Sequence, residues 1–141
     1  MRHHDETLDF ERLFAPRGAH GAFEPNTDVY FDERERALVV HVELAGADAD
    51  SLRVACDDAT LTIAGTRALR DLSRETSLLR KEIQYGDFLK RIPLPVPVRE
   101  DGATAVYRDG ILAIRLPLSE NPKNHPIVRR EIRMTVMRTL A

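Results

Sequence analysis

Residues 105–117 read Ala-Val-Tyr-Arg-Asp-Gly-Ile-Leu-Ala-Ile-Arg-Leu-Pro. The pair Asp109-Gly110 between two alternating runs is a strong hairpin signal, because both residues tolerate the positive φ values of a type I′ turn. After the turn, the apolar side chains at every second position fall on one face of a strand: Leu112, Ile114 and Leu116. The stretch therefore predicts a β-hairpin with one buried face.

Similar alternation of apolar and polar residues recurs upstream of this hairpin. It predicts further strands at 29–31, 38–44, 51–56, 61–65 and 88–94. No sustained helical pattern separates these segments, so the sequence predicts an all-β, immunoglobulin-like antiparallel β-sandwich. Residues 66–82 differ, since they are rich in charge and have no clean period of two. A helix is an alternative for this segment, although no cap or sustained stripe supports a long one, and a connection of this length usually has a purpose of its own.

The composition excludes several classes of protein. The chain has 141 residues and a formal net charge of -2, which favours one domain with appendages and gives no electrostatic case for nucleic-acid binding. No apolar run approaches the roughly 20 residues of a transmembrane helix, and the first residues lack the apolar core of a secretory signal. We therefore expect a cytoplasmic protein with no membrane partner.

Few residues suggest a catalytic or metal-binding site. The single Cys56 lies in an alternating run, which favours a buried and inert thiol over a nucleophile. His3, His4 and His20 have no spacing that would fix a metal geometry, so neither a metal nor a cofactor is expected. There is no nucleophile elbow and no paired catalytic motif, and the sequence therefore predicts a protein that is not an enzyme.

Both ends of the chain carry short apolar patterns. Residues 1–25 are interpreted as a flexible N-terminal arm in which Phe10, Leu13 and Phe14 have helical spacing. This single turn is too short to be stable alone, so it either packs on its own domain or binds a partner. Residues 119–141 form a C-terminal tail with apolar side chains at every second position, namely Ile132, Met134 and Val136. This pattern favours docking on an exposed sheet edge, either the chain's own or a neighbour's.

Four motifs in order resemble the α-crystallin domain of bacterial small heat-shock proteins. Residues 61–67 resemble the family's Leu-x-Ile-x-Gly-x-Arg strand, and residues 82–95 are similar to its Glu-Arg-x-x-Gly-x-Phe-x-Arg-x-x-x-Leu-Pro segment. Residues 105–117 match its Ala-x-x-x-Asp-Gly-Ile-Leu-x-Ile-x-Leu-Pro signature, and residues 44–46 stand where Leu-Pro-Gly is usual. The chain departs from these patterns at Ala45, Ile83 and Lys90. The resemblance covers about residues 26–117, and we take residues 26–118 as the α-crystallin domain.

The resemblance implies a function as well as a fold. It implies an ATP-independent holdase that binds unfolding client proteins through Phe10, Leu13 and Phe14 and suppresses their aggregation. It also implies a strand-swapped homodimer with Leu78, Leu79 and Ile83 at the interface. Larger oligomers would form through a tail anchor at Ile132 and Met134. The groove that receives this anchor would lie between two strands and include four residues: Leu52, Val54, Ala105 and Tyr107. The alternative is a co-chaperone-type adaptor on the same sandwich, which binds one defined protein partner.

Overall fold

The described residues form nine short β-strands and one turn of 3-10 helix. A computed structural model describes residues 23–57, 59–69, 72–120 and 130–137. The strands are β1 (Thr27–Asp32), β2 (Ala37–Glu43), β3 (Arg53–Cys56), β4 (Thr60–Arg67), β5 (Gly86–Pro93), β6 (Thr104–Arg108), β7 (Ile111–Pro117), β8 (Arg130–Ile132) and β9 (Met134–Val136). None of the described segments contains a helix that could span a lipid bilayer.

These strands form the two layers of a sandwich. One sheet has the strand order β1-β2-β7-β6-β9, and the other has the order β5-β4-β3-β8. Every pair is antiparallel except β6 with β9, which is parallel. The apolar residues of both inner faces pack together, as the alternating pattern requires. The predicted all-β, immunoglobulin-like sandwich is confirmed.

The predicted hairpin joins β6 and β7. Asp109 and Gly110 have φ values of 53° and 78°, the two positive values that a type I′ turn needs. Ala105 pairs with Ile114, and Tyr107 pairs with Leu112, so one face of both strands points into the core. The turn also contacts the rest of the domain, since the Leu44 amide donates to the Gly110 carbonyl oxygen at 2.8 Å.

The core extends beyond the segment predicted as the domain. Phe23 is only 4% exposed, and its ring centroid lies 5.1 Å from that of the fully buried Phe88. Pro25 is also buried, and its carbonyl oxygen accepts a hydrogen bond from Lys90 Nζ at 2.7 Å. The boundary between arm and domain at residue 25 stays a prediction, and these contacts tie residues 23–25 to the sandwich.

The strand predicted at 51–56 is shorter than expected. Residues Ala49–Ser51 form a turn of 3-10 helix, and β3 begins only at Arg53. The Asp48 carboxylate accepts from the Asp50 amide, and the Ser51 hydroxyl donates to the Asp48 carbonyl oxygen at 2.6 Å. Such local hydrogen bonds from side chain to backbone compete with strand pairing, which explains the late start.

Gly65 is the tightest point of the core. A Cβ atom at this position would lie 2.7 Å from Leu52 Cδ2 and 2.9 Å from Phe88 Cζ. Both neighbouring side chains are buried and cannot move freely, so Gly65→Ala overpacks the site. We expect this substitution to lower the free energy of unfolding by about 1–3 kcal/mol, measured by urea titration.

A double-mutant cycle gives the control for this prediction. Leu52→Ala removes the closer of the two clashing atoms, so it should cost less stability in the Gly65→Ala background than in the natural chain. Strictly additive losses would show that the contact with Leu52 is not the cause.

Candidate functional site

The tail closes one side of the sandwich by pairing with both sheets. Its first strand, β8, pairs with β3, and Ile132 stands opposite Val54. Its second strand, β9, pairs with β6, and Met134 stands opposite Ala105. Arg133 lies between the two strands, so the tail crosses from one sheet to the other at this residue. We call the β3–β6 surface beneath the tail the edge groove.

The apolar side chains of the tail point into the edge groove. Ile132 is 7% exposed and belongs to the hydrophobic core, and Met134 is partly buried against the same core. A cavity of about 470 Å³ remains beside the tail, and Leu52, Ile132 and Met134 are among its lining residues. The structure thus brings the predicted anchor and the four predicted groove residues into one place, within a single chain. Their role in assembly stays a prediction.

Tyr107 fixes the floor of the edge groove. It pairs with Val136 of the tail, and its hydroxyl donates to the carbonyl oxygen of Leu44 at 2.6 Å. The Met137 amide in turn donates to the carbonyl oxygen of Tyr107 at 2.8 Å. Burial raises the pKa of the Tyr107 phenol, which therefore stays a neutral donor at physiological pH.

Two ion pairs involve the residues directly before the anchor residue Ile132. Arg53 Nη1 lies 3.3 Å from Glu131 Oε1, and Arg130 Nε lies 3.3 Å from Glu100 Oε2. Reasoning from the sequence missed both pairs. The adjacent charges of Arg130 and Glu131 are visible in the sequence, but their partners are distant along the chain and become neighbours only when the tail docks.

Cys56 lies on β3 opposite Arg130 and is 2% exposed. Burial raises the pKa of its thiol to about 11, with smaller contributions from the negative charges of Glu100 and Asp57. The thiol is therefore protonated at neutral pH, in agreement with the interpretation of Cys56 as an inert core residue.

The predicted dimer-interface residues lie on the long loop between β4 and β5. Leu78 is 72% exposed, Leu79 is 97% exposed and Ile83 is 59% exposed, so none of them packs on its own sandwich. The described residues of this loop form neither helix nor strand. The loop therefore presents apolar side chains that the described part of the single chain leaves exposed.

Arg67 closes the base of this loop. Its Nε and Nη2 atoms donate to the carbonyl oxygen of Gln84 at 2.9 and 2.7 Å, and Nη1 donates to that of Ala45 at 3.3 Å. The guanidinium carbon also lies 4.4 Å from the ring centroid of Phe23. Because Arg67 ends β4 and Gln84 precedes β5, the side chain holds the two ends of the loop together. The sequence motif singled out Arg67 but not these partners.

Strand β1 leaves an apolar sheet edge open. It is the terminal strand of its sheet among the described residues, and three consecutive side chains on it are 43–49% exposed: Val29, Tyr30 and Phe31. The terminal strand β5 of the other sheet carries Asp87, Lys90 and Arg91, charges of the kind that protect an edge from pairing. Strand β1 also carries Asp28 and Asp32, but between them it exposes a continuous apolar run, so of these two edges it is the better acceptor for an added strand.

An ion pair holds the end of β1 in place. Arg115 Nη2 on β7 donates to Asp32 Oδ2 at 3.0 Å. The pKa of Asp32 is lowered, first by the hydrogen bond from the Glu35 amide and then by that from Arg115. Since the pKa is lower in the folded state, the contribution to stability is complete above about pH 4 and is lost as the pH falls further. The ion pair between Asp32 and Arg115 therefore stabilises the end of β1 fully at neutral pH.

The predicted client-binding residues Phe10, Leu13 and Phe14 lie outside the described residues. Their assignment rests on the sequence alone and stays a prediction.

Comparison with known proteins identifies the family. Residues 30–135 match the model of the Hsp20/alpha crystallin family. The chain belongs to this family. Over 99 residues, or 70% of its length, it is 36% identical to small heat shock protein C4 of Rickettsia felis, and the match spans 60% of that protein. It is 31% identical over 129 residues to the alpha-crystallin of Mycobacterium tuberculosis, covering 85% of this chain and 86% of that one.

Solved structures of the family share the fold. A small heat-shock protein from Xylella fastidiosa, described as having a distinct high order structure, superposes with a TM-score of 0.59 and 28% sequence identity. The superposition covers 74% of this chain and 94% of that one. The sandwich of this chain therefore has the α-crystallin fold of the small heat-shock proteins.

Proposed function

We propose that this chain is an ATP-independent holdase that binds unfolding proteins and suppresses their aggregation. The observation that carries the proposal is the family match over residues 30–135. A holdase works by binding non-native chains in preference to folded ones, and it needs accessible apolar surface rather than a catalytic centre. The sequence contains no Gly-x-x-x-x-Gly-Lys phosphate-binding loop, which agrees with a function that does not consume nucleotide.

The minimal unit in this proposal is a strand-swapped homodimer. Each long loop would reach the partner and add a strand to its β1 edge, so that Leu78, Leu79 and Ile83 are covered. The exposure of these side chains in the single chain and the apolar β1 edge support this arrangement. An unpaired strand edge beside exposed apolar side chains is the usual requirement for strand addition.

Larger particles would form when tails dock on neighbouring copies. The edge groove accepts the chain's own tail, and the tail of a second copy carries the same residues. The tail of one dimer can therefore occupy the edge groove of another.

The cytoplasmic location expected from the sequence stays a prediction.

Replacing Phe10, Leu13 and Phe14 together by serine should weaken protection of a heat-denatured client. Burial of apolar area supplies most of the binding free energy of such a contact, and this contribution is lost when the three side chains are removed. We expect the domain to fold normally, because none of the three belongs to the predicted alternating core. Light scattering of an aggregating client, with the variant or the natural chain present, measures the effect.

The matched control replaces charged residues of the same segment, Asp9, Glu11 and Arg12, by serine. This variant should protect the client as well as the natural chain does. Full protection by the apolar variant would move the client site elsewhere, for instance to the β1 edge. An absolute requirement for ATP would overturn the holdase proposal itself.

A further inference from the structure

The apolar residues of the tail do not define a unique register in the edge groove. Ile132, Met134 and Val136 are spaced by two, so a slip of two residues keeps apolar side chains on the same face. Met134 would then occupy the position of Ile132 opposite Val54, and Val136 would occupy that of Met134 opposite Ala105. Methionine adapts to irregular apolar sites, so packing alone discriminates weakly between these registers.

Charge distinguishes the registers where packing does not. In the observed register, Glu131 stands opposite Ala55 and its carboxylate pairs with Arg53. A slip of two residues in one direction places Arg133 opposite Ala55, next to the like charge of Arg53. The same slip removes Arg130 from its position opposite Cys56, and with it the pairing to Glu100.

The opposite slip is also disfavoured by charge. It would place Arg129 opposite Ala55 and carry Arg130 to the position of Ile132, which is only 7% exposed, so a charge would have to be buried there. Glu131 is the only acidic residue in the tail from residue 127 to residue 141. A single register therefore puts a carboxylate beside Arg53.

We infer that the edge groove recognises its occupant through a charge code. Glu100 pairs with a basic residue and Arg53 with an acidic one, and these two residues stand immediately before the aliphatic anchor of an extended strand. The occupant is the tail of a second copy of this chain, which carries the same Arg130-Glu131-Ile132 sequence. The inference rests on the proposed function for this partner. The code makes Arg53 and Glu100 determinants of specificity, separate from the apolar residues that supply most of the buried surface.

Synthetic peptides of residues 128–137 test the code on the full-length chain. An ion pair between half-exposed side chains changes a binding constant by about fivefold at most, and like charges disfavour binding by a similar factor. We therefore expect the natural peptide to bind about five- to twentyfold more tightly than the Glu131→Arg peptide, as measured by fluorescence anisotropy. On a full-length Arg53→Glu chain this preference should invert. The ratio of two peptides on one chain cancels competition from the chain's own tail.

The second ion pair provides an independent test, in case the Arg53 variant fails to fold. A Glu100→Arg chain should prefer the Arg130→Glu peptide to the natural one, and 0.5 M salt should reduce either preference because it screens exposed charges. The code is wrong if the unsubstituted chain does not prefer the natural peptide to the Glu131→Arg peptide. It is also wrong if charge reversal on the chain leaves this preference unchanged.

The particle mass separates this inference from the proposed assembly. If tails join copies, Arg53→Glu should reduce the mass of the particles and Arg53→Glu with Glu131→Arg should restore it. Inverted peptide preferences with an unchanged particle mass would support the code and contradict the role of the tail in assembly.

Discussion

A chain with Leu78→Asp and Leu79→Asp is expected to be a monomer. The two leucines are 72% and 97% exposed in the single chain, so nearly all of their apolar surface is available to a partner. Full burial stabilises by about 1.5–3 kcal/mol for each leucine, and twofold symmetry brings four of them to the interface. Even the lower value, about 6 kcal/mol in total, corresponds to a dimer weakened roughly ten-thousandfold. Uncompensated buried charge would add to this loss.

Sedimentation velocity over a range of concentrations measures the dimer in this variant. The same loop offers a matched control, because Leu69 and Leu72 are each 59% exposed and are not assigned to the interface. Leu69→Asp with Leu72→Asp should therefore keep the dimer. The circular dichroism of both variants should match that of the natural chain, since none of these leucines belongs to the core. A dimer of unchanged mass in the Leu78 and Leu79 variant would refute the assignment.

The hairpin and the core were predictable because they depend on local pattern. A turn with two positive φ values requires residues such as Asp109 and Gly110, and alternation with a period of two then assigns each neighbouring side chain to a face. The inward positions of β2 follow the same rule, and all of them are buried. Information of this kind lies within a few residues, so a single sequence contains it.

The polar contacts of the candidate site were not predictable in the same way. Arg67 reaches Gln84 and Ala45, and Arg53 reaches Glu131 across 78 residues of sequence. Such contacts form between elements that only the fold brings together, and the chain offers many other carbonyl and carboxylate acceptors for an arginine. The late start of β3 was missed for a different reason, because the Asp48 carboxylate accepts from the Asp50 amide and the Ser51 hydroxyl donates to the Asp48 carbonyl oxygen, and these bonds override the alternating pattern locally.

The tail presents an intermediate case, in which the pattern predicts the contact but not the choice of partner. The apolar side chains of Ile132 and Met134 predict docking at a sheet edge, and the single chain satisfies this by pairing its tail with its own β3 and β6. The groove of a second copy offers identical contacts. Occupation by the chain's own tail or by a neighbour's therefore depends on protein concentration and on the stretch of chain that joins the tail to the sandwich.

Truncation after Pro126 is expected to reduce large particles to dimers. It removes β8 and β9, and with them the buried Ile132, whose burial stabilises docking by about 1.5–3 kcal/mol at each groove. The sandwich should persist, because β1 to β7 retain their mutual pairing and most of the core. Native mass spectrometry gives the particle size, and circular dichroism should still report β-sheet.

Two double substitutions in the full-length tail test whether the apolar side chains hold the particles together or whether the presence of the tail segment is enough. Ile132→Ser with Met134→Ser removes the side chains that point into the edge groove and should reproduce the effect of truncation. Arg133→Ser with Thr135→Ser alters the two exposed positions between and beside them and should leave the large particles intact. If large particles survive truncation, the tail is not the anchor, and the N-terminal arm becomes the segment to test. If both pairs of substitutions dissociate the particles equally, the apolar contacts of Ile132 and Met134 are not what holds neighbouring copies together.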